Sequence, residues 1–310
     1  MKLVSIVAKK YGIVIGIAVV FVALSFAHPT FLTVRNLRNI VLQTSIQGVM
    51  AVGMTFVIVA RGIDLSVGSG LALAGVMAAG FEHLGLSVPL IIIATLGVGA
   101  GVGLVNGLII TIGKVTPFVV TLGMMSVARG AALLRTGGHP ISGFERSFRY
   151  MGAGSILNVP VPIWIFIGTV VAATLVLSQT RFGRYLYAIG GNEEATKLSG
   201  INVDFYKVLT YMISGGAAAL GALILTARLN AGEPIAGRAY ELDVIAAVVI
   251  GGTRLMGGRG TVIGSALGAL LVGMIANGLN LMGVSAYFQL VIQGSIIVGA
   301  VLLDRLREQD

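Results

Sequence analysis

RFGRYLYAIGGNEEATKLSGINVDFYK, Arg181 to Lys207, is the longest polar stretch in a chain that otherwise runs from one apolar segment to the next. Counted from Gln179, residues 179–207 interrupt a series of membrane spans, and the interruption carries helix punctuation of its own. Asn192 is a good N-cap, because its side chain can accept from the free backbone N–H groups of a first turn. Glu193 and Glu194 follow, where carboxylates favour the positive end of a helix dipole. Lys197 lies within pairing reach of both, and Gly200 supplies the left-handed residue that ends a helix. Asn192, Glu193, Glu194, Ala195, Thr196, Lys197, Leu198, Ser199 and Gly200 therefore read as about two turns, roughly 10 Å long at 1.5 Å per residue. Such a helix is too short to stand alone. It either packs on the ends of its own spans or docks in a partner's groove.

Composition places the interruption in a membrane protein. Of 310 residues, 56% are hydrophobic and only 11% charged, against about 25% charged in a soluble domain. The 45 glycines fit helices that approach closely in lipid. The net charge of +9 does not mark a nucleic-acid binder, because the basic residues sit singly at span ends rather than in a patch. The absence of cysteine excludes disulfide and thiol chemistry.

The predicted fold is an all-α integral membrane protein, a single domain over residues 1–310, with about ten transmembrane helices. The expected spans are Tyr11–Ala27, Asn39–Ala60, Leu65–Phe81, Val88–Ile112, Pro117–Leu134, Val161–Ser178, Val208–Ala227, Asp243–Gly252, Thr261–Met282 and Tyr287–Leu303. The eighth holds about ten residues where crossing takes about 20. It borrows length from Ile235 to Leu242, or it is re-entrant or broken. With both termini cytosolic, thirteen of the 21 Lys and Arg fall inside, seven outside, and Arg129 within a span. That is a positive-inside bias. Val105-Asn106-Gly107-Leu108 in the fourth span echoes Ala276-Asn277-Gly278-Leu279 in the ninth, which runs the opposite way, so the two form an inverted repeat or a chance match in a glycine-rich chain.

Absent chemistry narrows the function. No G-x-x-x-x-G-K-[ST] phosphate loop is present, since Gly113-Lys114 is followed by Val115. No H-E-x-x-H occurs, and His28, His83 and His139 are scattered, so no metal site is expected. Ion-coupled carriers keep carboxylates inside their spans, and only Glu241 and Asp243, at the entrance of the eighth, come near. An ion-coupled secondary sugar transporter is the alternative reading.

The polar residues within spans are mostly amides. Gln43 and Gln47, Asn277 and Asn280, and Gln289 and Gln293 all fall in the outer half of the expected topology. Each glutamine pair is spaced i,i+4 and so lines one helix face. They are translocation-path candidates for an uncharged, polyhydroxylated solute, or they bond helix to helix. Asp64 and Arg129 are candidate gate residues. Asp64 alternatively caps the third span, and Arg129 alternatively extends its stem to the outer interface.

GRYLYAIGGNEEATKLSGI (Gly183 to Ile201) resembles the cytoplasmic coupling loop of the permease subunit of ribose-type monosaccharide ABC importers. The likeness extends to VGMTFVIVARGIDLSVGS (Val52 to Ser69), YELDVIAAVVIGGTRLMGGRGTVIGS (Tyr240 to Ser265) and NGLNLMGVSAYFQ (Asn277 to Gln289), nearly the whole chain. The broader ABC-importer loop signature has Glu-Ala-Ala where this chain has Glu194-Ala195-Thr196, so the coupling role is carried on the ribose-type resemblance. That resemblance implies a bacterial inner-membrane permease that is not itself an enzyme and holds no cofactor. It implies a separate ATPase subunit binding ATP and Mg and docking at Asn192–Gly200, an extracytoplasmic sugar-binding protein on the outer loops, and a second permease copy. Ribose is the first expected sugar.

Overall fold

The computed structural model describes residues 2–309, with side chains for residues 12–296, 298, 299 and 302. Lys2, Lys9, Lys10, Arg305 and Arg307, counted above as cytosolic charges, lie outside the described side chains. The described residues are mostly helical: α1 Lys2–Ala27, α2 Val34–Val59, α3 Val67–His83, α4 Val88–Thr111, α5 Pro117–Thr136, α6 Arg146–Ala153, α7 Val161–Gln179, α8 Arg181–Gly191, α9 Glu193–Leu198, α10 Val203–Leu229, α11 Tyr240–Ile250, α12 Val262–Leu281 and α13 Ala286–Gln309. Two antiparallel strand pairs accompany them, β1 Ile141–Ser142 with β4 Ala231–Gly232, and β2 Ser155–Ile156 with β3 Val159–Pro160. Among the described residues, six helices (α2, α4, α5, α7, α10 and α12) are long and apolar enough to cross a membrane.

Helix α2 is the centre of the bundle. Its most apolar stretch is 78% buried, against 22% in α4 and 17% in α7. The outer faces of α4 and α7 are as apolar as their inner ones, as helices facing lipid must be. Helix α10 joins α2 at the core, and α4 lies directly on it. Gly99, Gly103 and Gly107 recur every fourth residue along α4, where a Cβ would strike the backbone of Gly215, Tyr211 and Val208 on α10. This small-residue seam lets two backbones touch, which suits association in lipid, where packing and not the hydrophobic effect joins helices.

Local caps move several predicted ends. Thr33 accepts a hydrogen bond from the Asn36 N–H at 3.3 Å, so α2 starts at Val34 and not Asn39. Asn202 accepts from the Phe205 N–H at 3.1 Å and starts α10 at Val203. The polar interruption is two helices, α8 and α9, rather than a loop with one. The eighth expected span becomes α11, whose 11 residues reach roughly 16 Å at 1.5 Å per residue. It borrows only from Tyr240 onward, because Ala239 holds a left-handed φ of 64° that breaks the helix.

Candidate functional site

Short α11 opens a space that a full helix would fill. A cavity of about 150 Å³ lies between α2, α11, α12 and α13. Its polar wall is Gln47, Asp243, Gln289 and Gln293, and the remainder is apolar, including Val272, Ile275, Leu279, Ile292 and Ile296. Gln47 donates from Nε2 to Asp243 Oδ2 at 2.9 Å. Gln289 donates to Asn280 Oδ1 and to the Val284 carbonyl, each at 2.9 Å. Three of the six amides singled out in the sequence thus meet on one wall.

The other three do not line it. Gln43 is exposed on α2. Asn280 touches the site only through Gln289. Asn277 is buried and exchanges two hydrogen bonds of 3.0 Å with Asn36, so it bonds α12 to α2. Asp243 enters the wall as a residue that the sequence marked only as a carboxylate near the short span. Its place in the first turn of an unusually short apolar helix was the available signal.

Arg129 does not simply extend outward. It donates from one guanidinium nitrogen to the carbonyls of Pro234 and Ala236, at 2.8 and 2.7 Å. Residues 233–239 are non-helical, with the Glu233, Gly237 and Ala239 carbonyls taken by local backbone N–H groups and those of Pro234 and Ala236 taken by Arg129, and an unpaired backbone group away from water is costly. Arg129 therefore holds the segment that leads into α11. Asp64 is 1% exposed. It accepts from the Ser66 N–H at 3.0 Å and the Ser66 hydroxyl at 2.6 Å on one oxygen, and from the Ser214 hydroxyl at 2.8 Å on the other. Asn106 donates to Ser66 Oγ at 2.9 Å. The reach from the α2–α3 link to α4 and α10 makes Asp64 a hub between helices as well as a turn-former ahead of α3.

The second candidate region is α8 with α9. Helix α8 is anchored: Leu186 and Ile189 are wholly buried against Val52, Phe56, Val59 and Leu177, and the Tyr187 hydroxyl donates to the Gly260 carbonyl at 2.7 Å. Helix α9 projects from it. Asn192 Oδ1 accepts from the Ala195 N–H at 3.0 Å. Gly200 has a φ of 82°, and its N–H reaches the Lys197 carbonyl at 3.0 Å. Glu193 takes Lys207 Nζ at 2.6 Å and Lys197 Nζ at 3.7 Å, while Lys197 also lies 3.9 Å from Asp204. Partial burial would raise the Glu193 pKa, but the Lys207 hydrogen bond and charge, with help from Lys197, hold it below the usual carboxylate range. Thr196 is buried, whereas Glu194, Ala195, Ser199 and Gly200 are exposed and Leu198 is 89% exposed. Among the described residues, no three His, Cys, Asp or Glu side chains converge as metal ligands.

Comparison with known proteins follows the same lines. Residues 36–301 match the family model described as branched-chain amino acid transport system / permease component. The ribose import permease protein RbsC of Escherichia coli (strain K12) is 46% identical over 298 residues, 95% of this chain and 93% of that one. The galactose/methyl galactoside import permease protein MglC of the same strain is 38% identical over 96% of this chain and 95% of its own. The D-allose transport system permease protein AlsC, also of that strain, is 36% identical over 96% and 92%. No solved structure matches the chain.

Proposed function

The chain belongs to the branched-chain amino acid transport system / permease component family, and from that membership we propose that it carries a monosaccharide inward as the permease subunit of an ATP-driven bacterial importer. Ribose is the first expected sugar, since the ribose import permease is 46% identical and the galactose and allose permeases less so. The observation that carries the reading at the level of the site is the mixed wall of the cavity. Three glutamines and one carboxylate offer both donors and acceptors to hydroxyl groups, and aliphatic side chains offer a surface for the C–H face of a sugar ring.

The finer picture is a ten-span subunit in the inner membrane, its halves related by an inverted repeat and both termini cytosolic. It would pair with a second copy, so that two α9 helices meet two sites on a separate ATPase that binds ATP and Mg. An extracytoplasmic binding protein would deliver the sugar to the outer loops. ATP-driven closure of the ATPase moves α9, and the cavity alternates between the two sides. No covalent bond is made or broken in this chain. Reconstitution with its ATPase and binding protein tests the reading: labelled ribose should enter vesicles only with ATP, and unlabelled ribose should compete better than allose or galactose. Uptake driven by an ion gradient without the ATPase would overturn it.

A further inference from the structure

The face that carries α9 holds a second concave site. Arg61, Arg254 and Arg259 ring a cavity of about 290 Å³ over a floor that includes Gly190, Gly191 and Gly258. Three segments meet in that floor: the end of α2, the end of α8, and the link between α11 and α12. The Gly258 N–H donates to the Val59 carbonyl at 3.0 Å. A Cβ on Gly258 would lie 3.0 Å from Gly191 N, and one on Gly257 would lie 3.0 Å from Arg61 N, so the floor closes only with glycine. Arg61 itself is held at a φ of 64° as the left-handed stop of α2, its N–H reaching the Ile58 carbonyl at 2.9 Å and the Gly62 N–H the Val57 carbonyl at 2.8 Å. Arg61 and Arg259 are exposed, and among the described residues neither is in an ion pair.

Gathering like charges on a rigid floor favours an anion, and the planar guanidinium fork suits a carboxylate. We propose that this cavity receives an Asp or Glu side chain of the ATPase subunit, as a contact separate from α9; the proposal rests on the importer reading. Two observations favour the ATPase over an anionic lipid. Gly190 and Gly191 lead straight into Asn192, so the cavity opens on the same face as α9. Its floor also includes the end of α2, the most enclosed of the apolar helices at 78% buried, which places it inward of the lipid-facing rim.

Zero-length coupling tests the chemistry directly. In the assembled complex, Arg61→Lys and Arg259→Lys keep the charge and present an amine that a carbodiimide joins only to a carboxylate in contact. The expected product is a cross-link to an Asp or Glu of the ATPase, found by mass spectrometry. An Arg61→Glu/Arg259→Glu variant should bind the ATPase at least about tenfold more weakly, as loss of a close interfacial charge pair does, while its elution as a folded permease stays unchanged. Lysines coupling only to this chain's own carboxylates would overturn the proposal. So would unchanged ATPase binding together with loss of retained phosphatidylglycerol, which would assign the cavity to lipid. Failure of the unaltered chain to bind the ATPase at all would remove the importer reading as well, so the two failures are distinguishable.

Discussion

Asp243 is a carboxylic side chain in the wall of an otherwise aliphatic and amide-lined cavity, a placement that within a membrane segment marks a functional residue. The first turn of α11 offsets part of that cost, because the positive end of the helix dipole lies there. Gln47 takes one of its oxygens, leaving the other for a hydroxyl donor. Asp243→Asn keeps the volume but replaces one acceptor oxygen with an NH2 donor, and losing one hydrogen bond to the sugar costs about 1 kcal/mol. The variant should reach the membrane at the normal level yet need roughly fivefold more ribose-loaded binding protein for half-maximal uptake. Wild-type uptake would place the sugar elsewhere. Little of this was legible in the sequence, because Gln47 and Asp243 lie 196 residues apart and only the packing of α2 on α11 joins them. Asn277 left both of its readings open for the same reason: its partner Asn36 is 241 residues distant, and an amide in a span reads alike whether it faces a cavity or a neighbouring helix.

Element ends were legible where the signal is local. Asn192 and Gly200 announce α9 because a cap and a left-handed stop act within one turn. Helix α8 was hidden, since its buried residues Leu186 and Ile189 are interleaved with arginines and tyrosines that read as loop. The pair has a mechanical logic, with α8 seated on α2 and the Gly260 link while α9 stands out with Leu198 exposed. Reversing charge in Glu193→Lys/Glu194→Lys breaks the Lys207 ion pair and opposes the helix dipole, each charge weakening the helix by roughly 0.3–1 kcal/mol. Gly200→Val adds a β-branched side chain where φ is positive, which strains the stop. The triple variant should insert normally but lose sugar-stimulated ATP hydrolysis, with uptake falling far more than membrane protein level. Wild-type uptake would put coupling elsewhere. Because the Glu193 pKa is lowered in the fold, its contribution is present above the usual carboxylate range, about pH 4.3, and is lost only as pH falls through the lower folded value. Coupling measured from pH 6 to 8 should therefore not vary through this pair, and a step within that interval would trace to another group.

At the scale of the whole molecule, besides interior pairs such as Gln47 with Asp243, polar links gather at two ends of one bundle. At one end, the Gly258 N–H meets the Val59 carbonyl, Tyr187 meets Gly260, and Glu193 meets Lys207. At the other, Glu82 accepts from the Glu145 N–H at 2.7 Å, Asn230 accepts from the Phe144 N–H at 3.1 Å, and β1 pairs with β4. Apolar helices α4, α5, α7 and α10 run between these ends with their outer faces bare of charge, so a membrane between the ends leaves the clusters at both ends outside the lipid. The excess of Lys and Arg accords with the proposed orientation, in which the first end is cytosolic. Since the chain has no cysteine, single substitutions report their side without background. Lys197→Cys should react with a membrane-impermeant maleimide only in inverted vesicles, and Glu145→Cys only in intact cells. The reverse pattern would keep the bundle and turn it over, setting α9 where no ATPase could reach it. Labelling of both from one side would mean an even number of crossings between them, and since α7 alone runs from the Glu145 end to α8, it would then be α7 that fails to span.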